Sequence, residues 1–203
     1  MKIICIGRNY KEHIEELHNE LKGEPIFFLK PDSSLLVNNK PFFLPDFSNE
    51  IHYEVEIVLK IKNAGKNINS KYAHKYFDEI TVGIDFTARD LQRKAAKEGN
   101  PWEIAKAFDK SAPIGKFVRK ELFHDINNLN FRLEKNGVIV QQGNTSQMIF
   151  SFYEIIEYVS KFMTLKTGDL IFTGTPKGVG PVNINDHFVA YIEDMPLLDF
   201  YVK

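Results

Sequence analysis

The sequence predicts an α+β protein that is mainly β, with a few peripheral helices. Segments with strand patterns outnumber segments with helix patterns, and most connections between them are short. This order does not fit a doubly wound α/β sheet, in which strands and helices alternate. The chain has 203 residues, 43% of them apolar, and no repeat or Gly-, Ser- or Pro-rich linker. We therefore expect a single domain over residues 1–203.

The first half of the chain contains the clearest strand. Residues 53–62 have an apolar side chain at every odd position, which is the period-two pattern of a strand with one buried face. The other elements predicted in this half are strands at residues 2–6, 26–30 and 80–86, and helices at residues 10–20, 70–77 and 88–98.

Turn and cap patterns define the second half. Asn136-Gly137, between two strand-like segments, is typical of a tight hairpin turn. Ser151 and Glu154 have the spacing of a capping box, which predicts a helix that continues to about Phe162. The remaining predicted strands cover residues 169–173, 188–193 and 197–202.

Charge and cysteine content narrow the classes of function. The net charge is −1, which leaves no basic footprint for nucleic acid. The sequence has no run of about 20 apolar residues that could span a membrane, and its first residues do not resemble a signal peptide. Cys5 is the one cysteine, which excludes an internal disulfide and fits a reducing compartment. We expect a cytoplasmic protein that binds neither nucleic acid nor a membrane.

Three carboxylates on two predicted strands are candidate metal ligands. Glu54 and Glu56 are two residues apart, so both side chains leave the same strand face. This pair alone is more typical of a solvated strand face. Asp85 lies on the next strand beside Gly83, whose missing side chain leaves room. Together the three suit Mg²⁺ or Mn²⁺, whereas Zn²⁺ normally takes His or Cys ligands.

Two pairs of polar residues are spaced to share a helix face. His13 and Glu16 fit a general base oriented by a carboxylate, although their spacing alone is more typical of an ordinary exposed helix. Arg89 and Gln92 open the helix that follows Asp85. Arg89 fits a two-point clamp for a carboxylate, and the same residues also fit a plain first helical turn.

Two further residues have open interpretations. Lys106 lies among apolar neighbours, so it either extends to solvent or, if buried near a metal, stabilises an enolate. The Gly-rich loop at residues 174–180 matches neither the Walker motif nor the dinucleotide fingerprint. Its backbone N–H groups and the Thr175 hydroxyl fit a carboxylate, and a tight turn with no ligand fits equally well.

Taken in order, these segments resemble the fumarylacetoacetate hydrolase family over nearly the whole chain. The matching segments are Gly7-Arg8-Asn9-Tyr10 with His13 and Glu16, Phe28-Leu29-Lys30-Pro31, Glu54-Val55-Glu56, Gly83-Ile84-Asp85 before Arg89-Asp90-Leu91-Gln92, Pro101-Trp102 with Lys106, Gly143-Asn144-Thr145 with Met148-Ile149, and Gly168-Asp169 before residues 173–180. Two positions depart from the family pattern: Asp32 follows Pro31, and residues 192–195 lack a glycine.

The resemblance implies a mixed β-roll core, a homodimer and a bound Mg²⁺ or Mn²⁺. It also implies roles for individual residues, with Glu54, Glu56 and Asp85 as metal ligands and Lys106, Arg89, Gln92 and Thr175 in the substrate pocket. The short chain with a His–Glu helix looks most like the acylpyruvate hydrolase and oxaloacetate decarboxylase branch.

These implications predict a metal-dependent hydrolase that cleaves a carbon–carbon bond in a small β-diketo acid of the acylpyruvate type. His13 with Glu16 would activate water, and Lys106 would stabilise the enolate. Oxaloacetate decarboxylation, keto–enol tautomerisation and isomerisation of the 2-hydroxyhepta-2,4-diene-1,7-dioate type are alternatives that use the same site without adding water. A non-catalytic module that binds metal and ligand is a second alternative.

Overall fold

The structure is a computed structural model that describes residues 1–16 and 23–203. In this part of the chain the strands are β1 (Ile3–Gly7), β2 (Ile26–Lys30), β3 (Leu35–Leu36), β4 (Ile51–Tyr53), β5 (Val55–Ile61), β6 (Phe77–Ile84), β7 (Thr87–Ala88), β8 (Ala112–Pro113), β9 (Val118–Arg119), β10 (Asn130–Lys135), β11 (Val138–Asn144), β12 (Leu170–Phe172), β13 (Gly180–Pro181), β14 (His187–Ile192) and β15 (Met195–Tyr201). The α-helices are α1 (Lys11–Glu16), α2 (Ser70–Ala73), α3 (Arg89–Glu98), α4 (Glu103–Lys106) and α5 (Phe152–Phe162), and short 3₁₀ helices cover Asp32–Ser34, Lys120–Leu122, Ile126–Asn128 and Thr145–Gln147. None of these helices is long and apolar enough to cross a membrane.

Two larger sheets form the body of the protein. The first is a six-stranded mixed sheet with the order β2-β1-β12-β5-β6-β9, in which β1 and β12 are parallel and the other neighbours are antiparallel. The second is a four-stranded antiparallel sheet with the order β11-β10-β14-β15. Two small sheets, β13-β4-β7 and β3-β8, complete the set. The mainly β, α+β fold predicted from the sequence is confirmed.

An aromatic cluster connects the two larger sheets. Phe86, which follows β6, packs against Phe188 of β14 and Phe200 of β15, with ring centroids 6.3 Å and 6.2 Å away. Phe42 stacks on Phe86 at 4.2 Å, and all four rings are buried. Each such ring contributes about 1.5–3 kcal/mol through removal from water. This packing fixes the backbone next to Asp85.

The strand predicted over residues 53–62 is divided at Glu54. β4 joins the small sheet β13-β4-β7, whereas β5 joins the six-stranded sheet. Glu54 belongs to neither strand, and Val55 N donates to the side-chain oxygen of Gln141 at 2.8 Å. The prediction of one continuous strand is therefore wrong, because a period-two pattern does not reveal where a chain passes from one sheet to another.

One predicted helix is shorter than expected, and another extends beyond the described residues. The helix predicted at residues 70–77 covers only the four residues of α2. Phe77 instead begins β6, where its ring packs edge-on against Phe152 of α5 with centroids 6.2 Å apart. The helix predicted at residues 10–20 is present as α1, and the remainder of that prediction lies outside the described residues.

The turn and cap patterns read from the sequence are confirmed. Asn136 and Gly137 form the tip of the β10–β11 hairpin with φ values of 54° and 79°, both in the left-handed region that a two-residue hairpin turn requires. α5 begins with the capping box of Ser151 and Glu154. α3 ends at Gly99, whose φ is 69°. These features depend on neighbours in sequence, which is why the sequence reveals them.

Candidate metal centre and active-site pocket

Three carboxylates meet where β5 begins and β6 ends. Glu54 immediately precedes β5, Glu56 is its second residue, and Asp85 follows β6. Glu56 pairs with Gly83 across the two strands, and Asp85 N donates to Glu54 O at 2.8 Å. One oxygen of each carboxylate lies within 4.8 Å of the other two, and all three side chains are buried. The structure thus brings together the three predicted metal ligands, and the solvated-face interpretation of the glutamates is wrong.

Gly83 has a different role from the one expected. A Cβ atom at this position would lie 2.8 Å from the Phe172 ring and 2.9 Å from the Val58 side chain. The space beside Gly83 is therefore filled by packing within the six-stranded sheet. Gly83 allows β5, β6 and β12 to pack closely and does not leave room for a ligand.

The carboxylates differ in their electrostatic surroundings. Burial alone would raise the pKa of Glu54, but the nearby charges of Lys106 and Arg89 outweigh this effect and hold its pKa well below the usual range. Burial raises the pKa of Glu56 well above its usual value, and the negative charge of Asp85 raises it further. A hydrogen bond from Gly174 N, at 2.7 Å, opposes this rise. Glu56 is thus the carboxylate whose charge is least compensated.

The residues fit a hard divalent cation. All three carboxylates are buried, and the Asp85 carboxylate contacts two ammonium groups, Lys30 at Oδ1 and Lys106 at Oδ2. In the same part of the chain no ion pair reaches Glu56, although it lies beside two other carboxylates. An oxygen-only set that includes a buried carboxylate without an ion pair, Glu56, is typical of Mg²⁺ or Mn²⁺ sites. The structure therefore supports a metal site at Glu54, Glu56 and Asp85.

Lys106, at the end of α4, is buried beside these carboxylates. Its Nζ donates to Glu54 Oε2 at 2.7 Å, to Asp85 Oδ2 at 2.8 Å and to Thr87 Oγ1 at 2.5 Å. Burial alone would lower its pKa, but the charges of Asp85 and Glu54 outweigh burial and raise it. Lys106 is therefore a charged ammonium group inside the site, and the interpretation as a side chain extending to solvent is wrong. No pattern in the sequence indicates a role for Thr87.

Lys30 is a second buried ammonium group that the sequence analysis did not assign. It lies on β2 with Nζ 2.7 Å from Asp85 Oδ1. Its hydrogen bonds go to Phe86 O at 3.1 Å, Ser111 O at 3.1 Å and Ser111 Oγ at 2.9 Å. The sequence showed only a lysine at the end of a short apolar strand, where most lysines extend to solvent.

Arg89 and Gln92 reach the same site from the start of α3. Arg89 Nη2 donates to Glu54 Oε1, and Arg89 Nη1 donates to Gln92 Oε1 at 2.6 Å. The guanidinium group of Arg89 thus contacts a glutamate of the metal site. Both residues also line the cavity described below, as the prediction of substrate contacts requires.

His13 and Glu16 form the pair expected from their spacing. His13 Nδ1 lies 3.1 Å from Glu16 Oε2, and Glu16 Oε1 accepts a hydrogen bond from Gly178 N at 3.0 Å. Burial alone would raise the pKa of Glu16, but these two hydrogen bonds, together with the charges of His13 and Arg89, outweigh burial and lower it. Glu16 is therefore an ionised acceptor that orients the imidazole. His13 is buried, so the interpretation of an ordinary exposed helix face does not hold for it.

A cavity of about 290 Å³ joins these groups. Its volume suits a small ligand. Eight of the nine predicted site residues line it: His13, Glu54, Glu56, Asp85, Arg89, Gln92, Lys106 and Thr175. The ninth, Glu16, contacts the imidazole of His13. Phe28 and Trp102, whose ring centroids are 6.0 Å apart, add an apolar wall that the sequence did not predict.

Thr175 is held by a residue that the sequence analysis overlooked. Gln141, buried on β11, donates from Nε2 to Thr175 Oγ1 and to Pro176 O, both at 2.9 Å. The strand pattern conceals this inward position, because the neighbouring apolar residues Val138 and Ile139 are exposed. Gln141 itself lies between Val140 and Gln142, and two successive glutamines near the end of a strand give no indication that the first is buried.

The relatives of this chain agree with the geometry. A family model described as Fumarylacetoacetate (FAA) hydrolase C-terminal matches residues 2–203. The chain is 42% identical over 201 residues to the Mus musculus protein named oxaloacetate tautomerase FAHD1, mitochondrial. This match covers 99% of this chain and 91% of the mouse protein. The chain is 46% identical over 182 residues to the Dictyostelium discoideum protein named oxaloacetate decarboxylase, mitochondrial, with 89% and 84% covered.

A solved structure gives the same result. The fumarylpyruvate hydrolase from Pseudomonas aeruginosa, determined in complex with Mn²⁺ and pyruvate, superposes with a TM-score of 0.94 at 35% identity and covers 100% of this chain and 89% of that chain. Because the names of the mouse and Dictyostelium relatives include the word mitochondrial, the cytoplasmic location stays a prediction. The resemblance found in the motifs is confirmed, and the chain belongs to the fumarylacetoacetate hydrolase family.

Proposed function

We propose that this chain is a metal-dependent enzyme that interconverts the keto and enol forms of oxaloacetate. The observation that carries the proposal is the buried ammonium group of Lys106, 2.7 Å from Glu54 and 2.8 Å from Asp85 on the wall of the cavity. A fixed positive charge in a buried pocket stabilises a developing enolate much more than it would in water. The names of the mouse and Dictyostelium relatives support oxaloacetate as the substrate.

Glu54, Glu56 and Asp85 would hold Mg²⁺ or Mn²⁺. When bound there, the cation supplies a Lewis acid for the keto and carboxylate oxygens of an α-keto acid. The Mn²⁺ in the Pseudomonas aeruginosa relative supports this choice of metal.

Tautomerisation moves one proton between C3 and the C2 oxygen. A base removes the C3 proton, the released electron pair forms the C2–C3 double bond, the C2–O double bond becomes a single bond, and the oxygen receives the proton. His13 fits the proton carrier, because it lines the cavity and Glu16 engages its Nδ1, which leaves Nε2 for the substrate. Lys106 would place its positive charge next to the C2 oxygen. In this proposal His13 serves the C3 end of the proton transfer and Lys106 serves the oxygen end.

Acylpyruvate hydrolysis is the second candidate, and the His13–Glu16 pair favours it. A carboxylate-oriented imidazole is suited to activating water. The Pseudomonas aeruginosa relative is named a fumarylpyruvate hydrolase. Acylpyruvate hydrolysis is also the reaction that the sequence motifs favour. The names of the oxaloacetate-specific relatives, with higher identity, slightly favour the reverse order. A non-catalytic module fits least, since it would not need a proton-carrying pair.

A substrate panel tests the proposal. Enol loss, pyruvate release from oxaloacetate and cleavage of acetylpyruvate are followed with and without Mg²⁺. We expect Mg²⁺-dependent enol–keto conversion of oxaloacetate to be the fastest of the three reactions. Fast acetylpyruvate cleavage with no effect on the oxaloacetate enol would replace tautomerisation by hydrolysis. Glu56→Ala should abolish turnover, and Glu79→Ala, at a half-exposed carboxylate on β6, is the matched control.

A further inference from the structure

We propose that Gln141 is a positioning residue that fixes the direction of the Thr175 hydroxyl, so that this hydroxyl donates into the cavity to an anionic oxygen of the ligand. The inference rests on the proposed function, because it takes the ligand to be a keto acid. Thr175 lines the cavity, and Gln141 lies behind it with 2% of its surface exposed.

The orientation of the Gln141 amide follows from its partners. Val55 N lies 2.8 Å from Oε1, and a backbone N–H can only donate, so this end of the amide must be the carbonyl oxygen. At the other end Nε2 lies 2.9 Å from Pro176 O, which can only accept. Both ends agree, so the amide of Gln141 has a single possible orientation.

This orientation determines what the Thr175 hydroxyl does. Gln141 Nε2 donates to Thr175 Oγ1 at 2.9 Å, so the hydroxyl oxygen already accepts one hydrogen bond. The nearest acceptor for the hydroxyl proton is Pro176 O, which lies 3.5 Å from Thr175 Oγ1. This distance is too long for a good hydrogen bond, and the carbonyl already accepts from Gln141. The proton is therefore available to the cavity. Carboxylate and enolate oxygens are acceptors without protons, so they match a hydroxyl that donates.

Gln141 also fixes where this donor lies relative to the carboxylates. Gln141 accepts a hydrogen bond from Val55 N, and Val55 lies between Glu54 and Glu56 in the sequence. Gly174, next to Thr175, donates from N to Glu56 Oε2 at 2.7 Å. One buried side chain thus connects the segment with two candidate metal ligands to the loop that carries the ligand-binding hydroxyl. The distance between the two parts of the site depends on this connection.

Binding of oxalate, a small planar dianion, tests the inference without relying on turnover. Calorimetry in saturating Mg²⁺ compares wild type, Gln141→Glu, Thr175→Val and the double variant. Glu at position 141 keeps the shape and the acceptor for Val55 N, but its second oxygen accepts the Thr175 proton. We expect Gln141→Glu and Thr175→Val each to weaken oxalate binding by about 10- to 100-fold, the range for one hydrogen bond to a charged group. Thr175→Ser, which keeps the hydroxyl, should restore near wild-type binding.

The control is Gln142→Glu, which makes the same charge change at the exposed neighbouring residue. In the Thr175→Val background, Gln141→Glu should cost no more affinity than this control does. A full additional loss there would mean that Gln141 acts through general structure, and the inference would be overturned. Wild-type affinity in Thr175→Val would overturn it too, even if the Gln141 variants do not fold. Intact oxalate binding by a wild type that does not convert oxaloacetate would refute only the proposed function.

Discussion

The buried ammonium group of Lys30 lies 2.7 Å from Asp85 Oδ1, on the side of Asp85 away from the Lys106 contact at Oδ2. Neither Lys30 nor Asp85 is exposed to solvent, so the Lys30 charge depends on Asp85 for compensation, and Lys30 is one of two buried counter-charges of Asp85. Removing one partner of such a pair leaves an uncompensated charge in the protein interior, which costs much more than the pair contributes.

Lys30→Met should therefore lower the free energy of unfolding by about 3–5 kcal/mol, because Asp85 loses a buried counter-charge. Urea unfolding monitored by circular dichroism measures the change. The matched control is Lys60→Met, which breaks the Lys60–Glu79 pair of 2.8 Å between half-exposed side chains. That pair should contribute about 1 kcal/mol or less. Similar losses in both variants would contradict the role given to burial.

Gly174 is the glycine on which the site loop depends. Its φ is +101°, and a Cβ atom there would lie 2.6 Å from Asn9 Cβ. Gly174→Ala should lower the free energy of unfolding by about 3 kcal/mol, through left-handed strain plus overpacking. Gly137→Ala is the control, since Gly137 has φ +79° with nothing within 4 Å, and should cost about 1 kcal/mol. Chemical denaturation compares the two, and equal losses would show that the contact with Asn9 is unimportant.

The parts of the fold that depend on local chemistry could be predicted from the sequence. The Asn136-Gly137 turn and the capping box at Ser151 are such cases, since each is decided by two to four neighbouring residues. The division of the predicted strand at Glu54 could not be predicted. β4 and β5 pair with strands of different sheets, and the Val55 N–H between them donates to Gln141, which is far away in sequence.

The candidate site shows the same limit. Its nine predicted residues could be found because each belongs to a recognisable motif, and the structure brings them together. Their roles stay predictions. Lys30, Thr87 and Gln141 were missed, because each is significant only through partners from other strands. A lysine closing an apolar strand or a glutamine among exposed apolar residues gives no local indication of burial.

Metal binding should stabilise the protein as well as activate it. A cation that binds only the folded state raises the free energy of unfolding by about 2.7 kcal/mol at a concentration 100 times its Kd. We expect chelation to abolish activity, Mg²⁺ or Mn²⁺ to restore it better than Zn²⁺, and Mg²⁺ to raise the melting temperature. Glu56→Ala should lose this rise, whereas Glu79→Ala should keep it. Full activity of Glu56→Ala after exhaustive chelation would refute the metal assignment.

We also predict a homodimer, on the family resemblance alone. Sedimentation velocity at micromolar concentration should give a species with twice the chain mass. A monomer under these conditions would contradict the prediction.

The last prediction concerns His13 and separates the reactions that this site could perform. Hydrolysis and tautomerisation both need a base that removes a proton, from water or from C3. Decarboxylation releases carbon dioxide and leaves the enolate of pyruvate without any proton being removed, and solvent can supply the proton that the enolate then takes up. His13→Ala should therefore slow acylpyruvate hydrolysis and oxaloacetate tautomerisation by about 10²–10⁴-fold, the range for a general base. Oxaloacetate decarboxylation should slow much less. The rates are measured under saturating Mg²⁺ for wild type and variant.

Glu16→Gln refines this test, because the amide oxygen can still accept from Gly178 N while the carboxylate that orients His13 is lost. It should reproduce part of the His13→Ala effect. Glu15→Gln, at the exposed neighbouring residue, should leave all three rates unchanged. Equal losses in the three reactions would mean that His13 positions the substrate or closes the site. Unchanged hydrolysis and tautomerisation in His13→Ala would remove the pair from the chemistry and leave it as a contact between α1 and the loop at Gly178.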